Sequence, residues 1–152
     1  MKRREFCVHA CQAASVAALG TVLPACSSNS NPAGASGNVP QLTTVGGSFA
    51  NGAVTVTVDA ASPLNTVGGA ALVQSSGGNF LVSRTAQDTF VALSSTCTHE
   101  QCTVTGFQSA HYVCPCHGSQ YSTSGQVLMG PAAQALRQFV TQFTSPTLTI
   151  TT

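Results

Sequence analysis

Charge is scarce in this 152-residue chain: five Lys and Arg stand against four Asp and Glu, for a formal net charge of +1. Lys2, Arg3, Arg4 and Glu5 crowd the first residues, leaving Arg84 and Arg137 against Asp59, Asp88 and Glu100 for the rest. Nucleic-acid binding requires clustered Lys and Arg to neutralise phosphates, so no nucleic-acid partner is expected. The few carboxylates are also unpaired, and no hydrolytic or nucleophilic constellation stands out. Long apolar runs are lacking as well. The stretch from Ala13 to Leu23 is about half of the roughly 20 residues that cross a bilayer as a helix. No segment beyond it keeps helical spacing, although Ala132 to Leu136 has room for one turn, and there is no internal repeat.

Strand-type alternation dominates from residue 41 onward. Ala53 to Asp59 alternates apolar and polar residues, and Ala70 to Gln74 and Asn79 to Arg84 flank a Ser-Ser-Gly-Gly turn. Thr89 to Leu93, Val127 to Met129, Phe139 to Phe143 and Leu148 to Ile150 supply further short strands, with Pro146 marking a turn. The span from 41 to 152 suffices for one domain and is too short for two independent cores. Regularly spaced short strands predict an all-β sandwich or compact barrel, with Leu72, Leu81, Val91 and Leu93 in its core.

Two short Cys/His segments carry the chemistry. The first reads Cys97-Thr-His99-Glu-Gln-Cys102 and the second Cys114-Pro-Cys116-His117-Gly-Ser119, followed by Gln-Tyr121-Ser-Thr-Ser-Gly125. Each offers one thiolate and one imidazole to a metal centre, and each holds a second cysteine, Cys102 or Cys116. Two Cys and two His would also suit tetrahedral zinc, although zinc requires neither the extra cysteines nor the spacing seen here. His111 and His9 belong to neither segment and read as a surface histidine and a leader residue.

These boxes resemble those of the Rieske iron-sulfur proteins, C-x-H-x-x-C and C-x-C-H-G-S, over roughly residues 88 to 133. The resemblance implies one 2Fe-2S cluster per chain, with Cys97 and Cys114 holding one iron and His99 and His117 the other. It further implies a disulfide between Cys102 and Cys116, and an antiparallel β-sandwich bearing the two cluster loops at one tip. Neutral imidazoles make such a site less negative, so that it accepts an electron more readily, with potentials of about −150 to +300 mV. Protons on the non-ligating imidazole nitrogens of His99 and His117 can then accompany the electron. Ser119 and Tyr121 fall where high-potential members place hydroxyls toward a bridging sulfide and a ligand sulfur, stabilising the reduced form. Two departures stand out: Glu100-Gln101 replaces the Leu-Gly common in quinol-oxidising members, and Ala133 stands in Gly130-Pro131-Ala132-Ala133 where a second proline is usual.

Location is encoded ahead of the domain. Met1-Lys-Arg-Arg-Glu-Phe6 and the apolar stretch form a charged and then hydrophobic leader that looks like a twin-arginine export signal. Leu23-Pro-Ala-Cys26 resembles a lipobox, which would make Cys26 the lipidated residue; an uncleaved membrane anchor is the competing reading. Residues 1–26 thus read as signal, 27–40 as a flexible linker spanning roughly 20 Å, and 41–152 as the Rieske domain. Of seven cysteines, Cys7, Cys11 and Cys26 lie in the leader, and the other four are all used by the boxes. A disulfide would persist outside the cytoplasm, in the periplasm or an equivalent space. The expected function is electron transfer, between quinol or a redox enzyme and a cytochrome c, with a cytochrome b or c as partner. The alternatives are a small redox subunit of a molybdenum oxidoreductase of the arsenite oxidase kind, or a freestanding redox sensor.

Overall fold

The computed structural model describes residues 38–152, so the expected export signal, Cys26 and most of the linker lie outside the described residues. Those residues are all-β, built from β1 (Thr43–Gly46), β2 (Ser48–Ala50), β3 (Ala53–Thr57), β4 (Ala70–Ser75), β5 (Gly78–Ala86), β6 (Thr89–Ser94), β7 (Gly106–Gln108), β8 (His111–Val113), β9 (Gln120–Ser122), β10 (Val127–Met129), β11 (Gln138–Thr144) and β12 (Thr147–Thr151). Eight strands form one sheet in the order β1-β4-β5-β6-β11-β12-β3-β2, and four form a second in the order β10-β9-β8-β7. All pairings are antiparallel except β1 with β4, which is parallel.

Strands β4, β5 and β6 are the middle layer. Successive side chains of a strand face opposite sides of its sheet, and here both sides are buried. Ala71, Val73, Phe80, Val82, Phe90 and Ala92 join Val54, Val56, Leu148 and Ile150 of β3 and β12 in one core. Their neighbours Leu72, Leu81 and Leu93 enter a second core with Cys97, Val104, Tyr112, Cys114, Tyr121 and Leu136. This explains why Ala-Leu-Val, Phe-Leu-Val and Phe-Val-Ala-Leu read as continuous apolar runs, whereas β3 alternates strictly: its Thr55 and Thr57 face solvent. Strand β11 closes the sandwich by pairing Gln138 and Phe139 with β6 and Val140 to Thr144 with β12. The predicted core residues Leu72, Leu81 and Leu93 are buried, and Val91 packs partly buried against the second core.

One end of the first core is held by Arg84, buried in β5. Its guanidinium donates to the carbonyls of Asn65, at 2.6 Å, and of Gln87, and lies 5.2 Å from the Phe90 ring centroid and 5.6 Å from that of Phe143. Carbonyl dipoles and aromatic faces offset the cost of burying the cation.

Residues 132–136 are not helical, contrary to the helical turn that their spacing allows. Their backbone groups are bound elsewhere: the Ala132 N–H donates to Ser119 Oγ at 3.2 Å, the Leu136 N–H to the Gly125 carbonyl at 2.9 Å, and the Gln134 carbonyl accepts from Thr98. The segment is a strap across the second core. His111 lies in β8 and is partly exposed at the surface.

Leu81 is fully buried in the middle of β5. Leu81→Ala should lower the unfolding free energy by about 2–5 kcal/mol, as for cavity-forming core truncations. Chemical denaturation read by far-ultraviolet circular dichroism measures the loss.

Candidate functional site

The two Cys/His segments leave the ends of β6 and β8 as six-residue loops with the same internal closure. In the first, the Cys97 N–H donates to the Cys102 carbonyl at 2.8 Å and the Gln101 N–H to the Cys97 carbonyl at 3.0 Å. In the second, Cys114 N–H donates to the Ser119 carbonyl at 2.8 Å and Gly118 N–H to the Cys114 carbonyl at 3.0 Å. The fifth residue of each loop takes a left-handed backbone, with φ of 57° at Gln101 and 73° at Gly118. Glycine adopts that conformation freely, whereas glutamine carries strain there.

The loops are cross-linked by a Cys102–Cys116 disulfide with Cα atoms 6.5 Å apart, as expected from the resemblance. Cys97 and Cys114 are the free cysteines among the described residues, and both are buried. Burial opposes ionisation of the Cys97 thiol. Hydrogen bonds from the Tyr121 hydroxyl, the backbone of His99, the Cys114 thiol and the backbone of Glu100 outweigh that cost and hold it below the usual thiol range. Burial raises the Cys114 thiol despite hydrogen bonds from the backbone N–H groups of Cys116 and His117, because Cys97 lies beside it and the two cannot ionise independently. Each sulfur thus receives N–H groups from the second and third residues after its own cysteine.

The imidazoles face outward. His99 and His117 are exposed, and their ring centroids lie 4.9 Å apart at 87°. A nitrogen of each ring and a Glu100 oxygen all fall within 4.8 Å of one another, with Glu100 Oε2 3.7 Å from His117 Nδ1. Two soft thiols inside and two imidazoles outside form a mixed sulfur and nitrogen donor set of the kind that suits iron-sulfur chemistry.

Tyr121 and Ser119 support the loops from beneath. The fully buried Tyr121 places its hydroxyl 3.3 Å from Cys97 Sγ, 3.2 Å from the Thr98 nitrogen and 3.1 Å from Thr98 Oγ1. Burial and the neighbouring Cys97 sulfur raise its pKa, so the hydroxyl stays protonated and able to donate. Ser119, also fully buried, accepts from the Ala132 N–H and so keeps its own proton free to donate toward the loops. Gly130 brings the strap against this floor: a Cβ there would lie 2.6 Å from Ser119 Cα. Thr98 and Gln134 line an open cleft of about 440 Å³ beside Cys97 and His99, with Arg137 on its wall. Sequence reasoning missed these two residues, because no spacing rule marks the threonine between two ligand-type residues or a backbone carbonyl more than 30 positions away.

Gln101→Gly should stabilise the protein by roughly 1 kcal/mol by relieving the left-handed glutamine, and Gly118→Ala should cost about as much. The double variant Cys102→Ser with Cys116→Ser should lose about 3 kcal/mol, the entropy of a loop of roughly 15 residues. Thermal unfolding of the three proteins under one buffer condition checks both effects.

A model of the Rieske [2Fe-2S] domain matches residues 55–140, more than half of the chain. Among curated relatives, the cytochrome b6-f complex iron-sulfur subunit of Prochlorococcus marinus strain NATL1A is 37% identical over 97 residues, 60% of this chain and 54% of that one. Its counterpart from strain AS9601 is 49% identical over 45 residues, 29% of this chain and 25% of that one. The chain therefore spans between a quarter and about half of these relatives' length. The crystal structure of the cyanobacterial plasma membrane Rieske protein PetC3 from Synechocystis PCC 6803 superposes with a TM-score of 0.52 at 28% identity, covering 62% of this chain and 97% of that one. The cofactor class is accordingly a 2Fe-2S cluster and not zinc, and the role that follows is electron transfer. Boxes, fold and matched span agree that this chain belongs to the Rieske [2Fe-2S] domain family.

Proposed function

We propose that the chain is an exported, membrane-tethered electron carrier in which Cys97 and Cys114 hold one iron of the 2Fe-2S cluster and His99 and His117 hold the other. The observation that carries this reading is the matched pair of loops. Their buried sulfurs each receive backbone N–H groups, and their imidazoles stand together at the surface 4.9 Å apart. When bound, the cluster supplies a one-electron couple near the high end of the biological range for iron-sulfur centres. Tyr121 and the loop N–H groups place positive hydrogen-bond ends around the sulfurs, which favours the more negative reduced state. Both cysteines are buried in the second core. His99 and His117 form the exposed exit through which an electron would pass to a docked protein.

The chemistry of the tip favours a cytochrome as the receiving partner. Glu100, 60% exposed, sets a carboxylate beside His117, where an apolar quinol pocket would need a desolvated neighbour. A basic docking face on a cytochrome c would complement it. Service within a cytochrome bc-type complex is a second reading, supported by similarity to cytochrome b6-f iron-sulfur subunits. Residues 1–26 would direct export, a lipid on Cys26 would tether the domain on the periplasmic side, and residues 27–40 would give it reach.

Purified after export, the protein should contain iron and acid-labile sulfide in equal amounts and give the rhombic EPR signal of a mixed-ligand 2Fe-2S cluster on reduction. His117→Ala and Cys114→Ser should each abolish that signal. A colourless zinc-loaded protein, or an unchanged signal in either variant, would refute the ligand assignment. Stopped-flow oxidation of the reduced protein by a basic cytochrome c should slow on Glu100→Lys; faster oxidation would argue against the proposed docking polarity.

A further inference from the structure

The Tyr121 hydroxyl meets three partners at once, and counting their protons shows that they cannot all be served equally. Its oxygen lies 3.2 Å from the Thr98 backbone nitrogen, which can only donate, so one lone pair of the tyrosine is taken. Thr98 Oγ1 lies 2.7 Å from the Gln134 carbonyl oxygen, which can only accept. A hydroxyl carries one proton, and this short contact fixes the Thr98 proton on Gln134. Thr98 Oγ1 therefore turns lone pairs toward Tyr121, 3.1 Å away. The single tyrosyl proton is left with two acceptors, Thr98 Oγ1 and Cys97 Sγ, the latter at 3.3 Å. Neither can be satisfied without weakening the other.

We propose that Thr98 is a positioning residue that tunes the midpoint potential: with its own proton held by Gln134, it draws the Tyr121 proton part of the way off Cys97 and so keeps the potential below the value Tyr121 alone would set. The proposal rests on Cys97 being a cluster ligand. Gln134 belongs to the strap and borders the open cleft beside His99, so a partner docking there can reach it. Displacing the Gln134 carbonyl frees the Thr98 proton to donate to the tyrosine oxygen and turns the tyrosyl proton wholly onto the sulfur. Strap position and electron affinity are thereby coupled through one threonine.

The test is protein-film voltammetry of the cluster-loaded full chain, with EPR confirming occupancy in every variant. Thr98→Val and Thr98→Ala should shift the midpoint potential upward, Thr98→Ser should retain the original value, and Tyr121→Phe should shift it downward. In the Tyr121→Phe background, Thr98→Val should have no further effect. An unchanged or lowered potential in Thr98→Val and Thr98→Ala, beside a lowered one in Tyr121→Phe, would overturn the role of Thr98 and leave the ligand assignment standing. Loss of the cluster from both Thr98 variants with Thr98→Ser fully loaded would also overturn it, in favour of a purely structural role. If Tyr121→Phe and the Thr98 variants all left the potential unmoved in loaded protein, the tyrosyl proton would carry no weight at Cys97 and the proposal would fall, whereas retention of the EPR signal in Cys97→Ser would instead refute the ligand assignment on which it rests.

Discussion

A six-residue loop closed on itself by two backbone hydrogen bonds turns the N–H groups at its third and fourth positions onto the sulfur of its first cysteine. That closure occurs twice, at 97–102 and at 114–119, and the rest of the site depends on it. It lowers the cost of placing negative sulfur inside protein, because fixed N–H dipoles replace the water that burial removes. It also fixes where the histidines emerge. His99 is the third residue of its loop and His117 the fourth of the other, and the disulfide between the loops holds the two rings in contact at the surface.

The closure would be useless on a yielding base. The middle layer supplies a rigid one, because β4, β5 and β6 are packed on both faces and cannot shift without disturbing two cores together. Leu72, Leu81 and Leu93 meet Tyr112 and Tyr121 from below, so each loop is carried by a strand end anchored in that second core. The strap over residues 132–136 lies across the second core. Gly130 allows it to approach Ser119 closely, and Gly125 accepts the Leu136 N–H at its far end.

The strands of the middle layer and of the first core were legible because their apolar residues are long runs or strict alternations. The ligand-type residues were legible because Cys and His at short spacing are rare and chemically restricted. The three-residue strands β7, β8 and β9 were not. Gly106–Gln108, His111–Val113 and Gln120–Ser122 are too short to display a period, and they are defined by pairing with one another across the second sheet. The 132–136 segment misled for a related reason: its composition suits a helical turn, but Ser119, Gly125 and Thr98 offer its backbone better partners. Tyr121 could be located by resemblance, yet its hydroxyl's competing partners follow only from three-dimensional distances.

The poverty of charge that marks this sequence has a consequence at the tip. Asp88 lies in the turn that starts β6 and the Cys97 loop lies beyond its end, a separation of about 20 Å along the strand. An exposed carboxylate that far away is screened at physiological salt, where the Debye length is about 8 Å. Glu100 is the acid that stands beside the histidines, and Arg137 lines the neighbouring cleft. The carboxylate and the His117 ring are both exposed, so their contact at 3.7 Å adds little to stability. Its larger effect is on the local field, since in a domain with five charged residues after position 38 one carboxylate beside the exposed imidazoles weighs heavily on the sign of the potential there.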